Sequence, residues 1–206
     1  MKRIRKYFKP ILFAFCIILF VLIVRLLLTD KVSSFDNKVY EIVTSIKCEP
    51  ITKFFKFITM FCSMWFVFLL TAIIMLFDKN KKKTFYIALN VLLCFLLNQV
   101  FKFIFVRSRP DGIGIINESG YSFPSGHSML SVAFYGFLAY LVLHSKISKK
   151  KRLVFIIVTI ILTFLIGISR IYLGVHYASD VLAGFALSLA YLILYVSLFY
   201  NEKKRF

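Results

Sequence analysis

Lys102 with Arg109-Pro110, Pro124-Ser125-Gly126-His127, and Ser169-Arg170 with His176 and Asp180 form three polar clusters in a chain that is otherwise 60% apolar. Together they hold two of its three histidines, three cations and one carboxylate. Cations of this number suit a phosphate group, one imidazole can attack phosphorus, and a second can protonate the oxygen that leaves. Asp180 follows His176 by four residues, so on a helix the two share a face. A carboxylate bonded to one ring nitrogen fixes the tautomer and frees the other nitrogen for attack.

Ser125 is a residue type that caps helices, and Gly126 lets backbone N–H groups approach a ligand closely. A helix opening there would present partial positive charge to an anion, with His127 beside it. Lys102 and Arg109 are seven residues apart, about two helical turns, and would face one way if the helix continues. Lysine offers a point charge and arginine a planar fork for two phosphate oxygens. Each cluster also has a plainer reading. Lys102 and Arg109 could snorkel to headgroups, and Ser125 and Asp180 could be ordinary helix caps with His127 and His176 as interface residues.

The elements that must position these clusters are membrane spans. A 206-residue chain of mean hydropathy +0.84 carries more apolar surface than a soluble fold of this size can cover. Six apolar stretches approach the length needed to cross a bilayer: 11–29, 56–77, 84–101, 126–144, 153–169 and 180–200. The first follows a basic N-terminus but is too long for a secretory h-region and has no small-residue cleavage site, so it reads as an uncleaved span. Between spans one and two, Val39, Ile42, Val43 and Ile46 recur at helical spacing. They predict a short amphipathic helix on the outer leaflet, capped by Asp36 and ended before Pro50. The 108–123 segment is polar, glycine-bearing and aperiodic, the class from which binding loops are drawn.

The formal net charge is +18. Most of it lies at the N-terminus, Lys79–Lys83, Lys146–Arg152 and Lys203–Arg205, which fall on one side of a six-span chain. The positive-inside rule makes that side and both termini cytoplasmic and the three clusters extracytoplasmic. Arg107 and Arg109 run against that bias and need a local reason. Charge dispersed over membrane-flanking turns forms no continuous patch and argues against a nucleic-acid surface. His144 ends the fourth span on the cytoplasmic side and reads as structural. Cys16, Cys48, Cys62 and Cys94 show neither metal spacing nor a disulfide framework. With no internal repeat or flexible linker, residues 1–206 read as one domain.

With the three clusters together, the chain resembles the type 2 phosphatidic acid phosphatase (PAP2) superfamily. Its pattern is K-x6-RP, PSGH and SR-x5-H-x3-D, matched here at every defined position. The resemblance implies an all-α integral membrane helical bundle of six transmembrane helices in the plasma membrane. It also implies a lipid phosphatase needing no metal or other cofactor. On that basis His176 is the nucleophile, Asp180 orients it and His127 is the general acid. Lys102, Arg109, Ser125, Gly126 and Arg170 hold the phosphate. The partners implied are the bilayer and a lipid phosphate or pyrophosphate: undecaprenyl pyrophosphate, phosphatidylglycerophosphate or phosphatidic acid. Gly120-Tyr121-Ser122-Phe123 and Tyr135-Gly136 look like the bacterial phosphatidylglycerophosphatase type. The alternative is a lipid transporter or an inactive relative. Intact histidines argue against the second, and mostly neutral polar residues within the spans against the first.

Overall fold

A computed structural model describes the backbone of residues 2–200 and the side chains of residues 7–200; the basic terminal patches at 1–6 and 201–206 lie outside the described side chains. Within these limits the protein is all-α. Eight helices run in order: α1 (Lys2–Leu28), α2 (Ser33–Thr44), α3 (Glu49–Met60), α4 (Met64–Phe77), α5 (Lys81–Phe105), α6 (Gly126–Leu143), α7 (Lys149–Tyr172) and α8 (Ala178–Leu198). Side chains at the starts absorb backbone donors that helix ends leave unpaired. Ser63, Asn80, Ser125 and Ser148 each accept from an N–H three residues ahead.

Five helices, α1 from Tyr7 and α5 to α8, are long and apolar enough to cross a membrane. The expected second span at 56–77 is a pair. Helices α3 and α4 meet at a 47° bend, and counting the pair as one span gives six. The break is stabilised from α6, where the Tyr135 hydroxyl donates to the Phe61 carbonyl (2.5 Å). The Cys62 thiol in turn donates to the His127 carbonyl (3.3 Å). The first of these bonds satisfies a carbonyl that a continuous helix would have paired internally.

Helix α8 is the centre of the bundle, packed against α1, α6, α7, α2 and α5. Its buried Ala183, Gly184, Ala186, Ser188 and Ala190 are small, which lets neighbouring backbones approach where lipid offers no hydrophobic drive to pack. Ser188 Oγ donates to the Met129 carbonyl at 2.6 Å, and Asn90 Nδ2 to the Ala133 carbonyl at 2.8 Å, so these buried polar groups tie spans together. Large apolar side chains such as Ile11, Phe15, Ile18 and Phe164 point outward, as a bilayer-facing surface requires.

The outer segment is helical as its periodicity predicts, but its role differs. Val39, Tyr40 and Val43 of α2 pack on Ile171, Ala178 and Val181 of the bundle, while Ile42 and Ile46 remain exposed. Asp36 does not cap α2, whose N-cap is Val32. It is buried within the helix's first turn for a reason that appears at the site.

Candidate active site

Helix α5 ends one turn beyond Lys102, and Val106 takes a left-handed conformation (φ 48°) that a β-branched residue seldom adopts. Arg109 is therefore in the loop, and no continuing helix aligns it with Lys102. The loop is tied back on itself by Ser122 N–H to the Arg107 carbonyl (2.8 Å) and to the α7–α8 turn by Ile115 N–H to the Leu173 carbonyl (2.9 Å). At Gly174 (φ +70°) a Cβ would fall 2.4 Å from the Ile113 carbonyl oxygen, so only glycine allows the loop this close.

These ties bring the clusters to one cavity of about 300 Å³. Its lining includes the polar residues Lys102, Arg109, Glu118, Gly126, His127 and His176 and the apolar residues Met64, Cys94, Phe95 and Leu130. Helix α6 begins at Gly126, so its N-terminal turn faces the cavity. A Cβ on Gly126 would meet Asn98 Oδ1 at 3.0 Å. Asn98 itself donates to the Pro124 carbonyl (3.0 Å) and thus steadies the turn before α6; it makes no bond to Lys102. The Lys102 ammonium has no hydrogen bond or ion pair among the described residues, whereas its backbone carbonyl accepts from Val106 N–H.

His176 is 2% exposed, in the turn before α8. Its Nδ1 lies 3.3 Å from Asp180 Oδ2, and its Nε2 lies 3.2 Å from Arg109 Nη1. Arg109 can only donate and an ionised Asp180 only accept, so Nδ1 carries the proton and Nε2 the lone pair. Burial, followed by the charges of Arg170, Arg109 and Lys102, holds the imidazole pKa well below its ordinary value, so the ring is neutral. A neutral ring with its free nitrogen facing a cationic cavity can attack an anion held there.

Not every phosphate-binding candidate lines the cavity. Ser125 is buried as the α6 cap, its Oγ accepting from Ser128 N (3.4 Å) and Ser128 Oγ (3.1 Å). Arg170 is 1% exposed, donating through Nη1 to Thr59 Oγ1 (2.8 Å) and through Nη2 to Glu118 Oε1 (2.5 Å). Its Nε has no partner among the described residues. Glu118, which no motif singles out, thus stands between Arg170 and the cavity. Burial raises its carboxyl pKa, but Arg170, Arg109 and His176 outweigh that and hold it below its usual range. Glu118 and Arg109 also line a polar depression of about 400 Å³ on the loop side, with Asp111, Asn117 and Gly174. His144 bonds to its own helix at the Tyr140 carbonyl, away from the site, and the four cysteines are unpaired.

Arg107 supplies the largest omission. It donates to Asp180 Oδ1 (2.5 Å), to Ser179 Oγ (2.8 Å) and to Asp36 Oδ2 (2.8 Å), and lies 4.0 Å from the Tyr177 ring centroid. An arginine unexpected on charge grounds is thus the counter-ion of two buried carboxylates.

The family model described as the PAP2 superfamily matches residues 83–204, which include every cluster just described. The chain belongs to the PAP2 superfamily. Among solved PAP2 structures, the first transmembrane PAP2-type phosphatidylglycerolphosphate phosphatase from Bacillus subtilis superposes with a TM-score of 0.82. It has 33% identity, over 96% of this chain and 97% of that one. LpxE of Aquifex aeolicus shares the fold (TM-score 0.65, 22% identity, 79% of this chain and 95% of that one). In sequence, the chain is 48% identical over 114 residues to phosphatidylglycerophosphatase B of Bacillus subtilis (strain 168). That alignment covers 54% of this chain and only 55% of the relative's length. An undecaprenyl-diphosphatase of Sulfolobus acidocaldarius is 24% identical over 191 residues, 89% of this chain and 87% of the relative.

Proposed function

We propose that this protein is a membrane phosphatase that removes the terminal phosphate from a lipid phosphate or pyrophosphate at the outer leaflet. It acts through a phosphate covalently held on His176. The observation that carries the reading is the His176 ring, neutral, bonded at Nδ1 to Asp180 and presenting Nε2 beside Arg109 in a cavity shared with Lys102 and His127.

Substrate phosphate replaces the ring as the partner of Arg109 Nη1, while Nε and Nη2 stay anchored on the Gly120 and Ser119 carbonyls, with Lys102 and the α6 N-terminus beside it. His176 Nε2 attacks phosphorus and an N–P bond forms. The P–O bond to the leaving group breaks, and His127, which takes up a proton as the anionic phosphate binds beside it, gives that oxygen the proton. His127, now neutral, takes a proton from water as its oxygen attacks phosphorus. The N–P bond breaks and inorganic phosphate leaves. Charge spread over the equatorial oxygens is held by fixed cations, which is where phosphoryl transfer gains most. Arg170 joins them when Glu118 releases it, and Ser125 acts through the helix turn it caps. The reading needs no metal, because Lys102, Arg109 and the α6 N-terminus at the cavity supply the electrostatic role themselves.

A lipid substrate is supported by the cavity's mixed lining, which joins the motif cations to apolar Phe95 and Leu130. The names of the relatives support trying phosphatidylglycerophosphate first among substrates and undecaprenyl pyrophosphate second. The test is purified protein with a metal chelator, offered phosphatidylglycerophosphate, undecaprenyl pyrophosphate and phosphatidic acid side by side, wild type against His176→Ala. Phosphate release from at least one lipid by the wild type, and none above background by the variant, is expected. Turnover by the variant, or chelator inhibition that magnesium reverses, would remove the proposal.

A further inference from the structure

Arg107 occupies an undefined position of the first motif, and Asp36 lies outside residues 83–204 that the family model matches. Yet the two sit behind the His176–Asp180 pair with a geometry that has a specific consequence. A guanidinium facing a carboxylate prefers two parallel N–H···O bonds, one to each oxygen. Here the fork is divided. Nη1 donates to Asp180 Oδ1 at 2.5 Å, and Nη2 donates to Asp36 Oδ2 at 2.8 Å. Asp180 Oδ2 is left to accept from His176 Nδ1 (3.3 Å) and from Tyr177 N–H (3.0 Å). Asp36 is fixed in turn by Ser179, whose N–H and hydroxyl each donate to it at 2.8 Å. Asp36 is 2% exposed and Asp180 fully buried. A carboxylate hidden to that degree is costly unless paired, so Asp36 is no solubility residue of an outer helix.

We propose that Asp36 and Arg107 are positioning residues for the reacting histidine: Asp36 divides the Arg107 fork so that Asp180 keeps one oxygen for His176 Nδ1. This rests on the reading of His176 as nucleophile and Asp180 as its orienter. It extends the functional unit to α2. Without the Asp36 carboxylate, Arg107 closes on both oxygens of Asp180 and the imidazole loses its acceptor. The remaining charged and titratable groups facing His176 are Arg109, Arg170, Lys102, Glu118 and His127. None of them accepts at Nδ1.

A double-mutant cycle tests the idea on the detergent-purified full chain. Asp36→Ala alone should lower kcat by about 10- to 100-fold, the size of loss found when a group holding a metal-ligating imidazole in place from one shell further out is removed. KM should change less than about twofold, and the acid limb of kcat/KM should move to lower pH as the imidazolium loses its carboxylate. Lysine cannot make the parallel pair of bonds. In the Arg107→Lys background, Asp36→Ala should therefore change kcat less than about threefold. An equal loss in both backgrounds, or a loss shared between kcat and KM with an unmoved pH profile, overturns the inference. Where Asp36→Ala yields no folded protein by gel filtration, the near-isosteric Asp36→Asn enters the cycle with the same expectations in reduced size. His176→Ala in the same series keeps the two claims apart. If it is inactive while the cycle is additive, only the positioning role fails; if it turns over, the nucleophile reading fails.

Discussion

At the residue scale, the site works by giving each donor and acceptor of His176 one partner. Asp180 takes the Nδ1 proton, Arg109 meets the Nε2 lone pair, and burial together with three cations keeps the ring from charging. The direction of that shift sets the pH behaviour. A histidine whose pKa is held well below 6.5 stays neutral, and so nucleophilic, until the pH falls through that lowered value. The acid limb of kcat/KM assigned to His176 should therefore lie below pH 6.5. The limb belonging to the substrate phosphate, whose second ionisation is near about 6, must be separated by comparing two lipid phosphates. A His176 limb at or above 6.5 contradicts this environment. The His176–Asp180 pair was readable because four residues is a local spacing. Asp36, Arg107 and Glu118 were not readable as partners: Asp36 meets Ser179 across 143 positions, and Glu118 meets Arg170 across 52. Local pattern assigned Asp36 to a cap because a capping residue type stood at the start of a periodic run, whereas tertiary pairing claimed it.

At the element scale, the break between α3 and α4 brings Cys62, Ser63 and Met64 to the cavity wall. Hydropathy showed one apolar run there, since Phe61-Cys62-Ser63 contains neither proline nor glycine to mark a bend. The bend is held from outside, by Tyr135 of α6 donating to Phe61 and by Cys62 donating to His127 of α6. Tyr135→Phe removes the donor that satisfies the Phe61 carbonyl and leaves it part-buried and unpaired. It should cost about 1–3 kcal/mol, seen as a lower Tm of the detergent-purified protein. An unchanged Tm would mean that the break does not need this bond. Five of the six spans, by contrast, were legible to within a few residues, because length and apolarity alone decide them.

At the scale of the whole molecule, the α5–α6 loop and the α7–α8 turn lie at one end of the bundle, and the basic turns at Lys79–Lys83 and Lys146–Arg152 at the other. The positive-inside rule predicts that the end carrying the candidate site faces outward. A cysteine replacing exposed Asp111, in a protein otherwise stripped of cysteine, should react in intact cells with a maleimide that cannot cross the membrane. Reaction only after permeabilisation would invert the topology. The claim on which all three scales converge is a phosphate carried by His176. It is tested most directly by quenching turnover of a lipid bearing labelled terminal phosphate and mapping the label on the denatured protein. The expected result is an acid-labile, alkali-stable label on the peptide containing His176, formed during turnover and absent from His176→Ala. Label on another residue, or phosphate release by an enzyme that carries no label at any time during turnover, would contradict it.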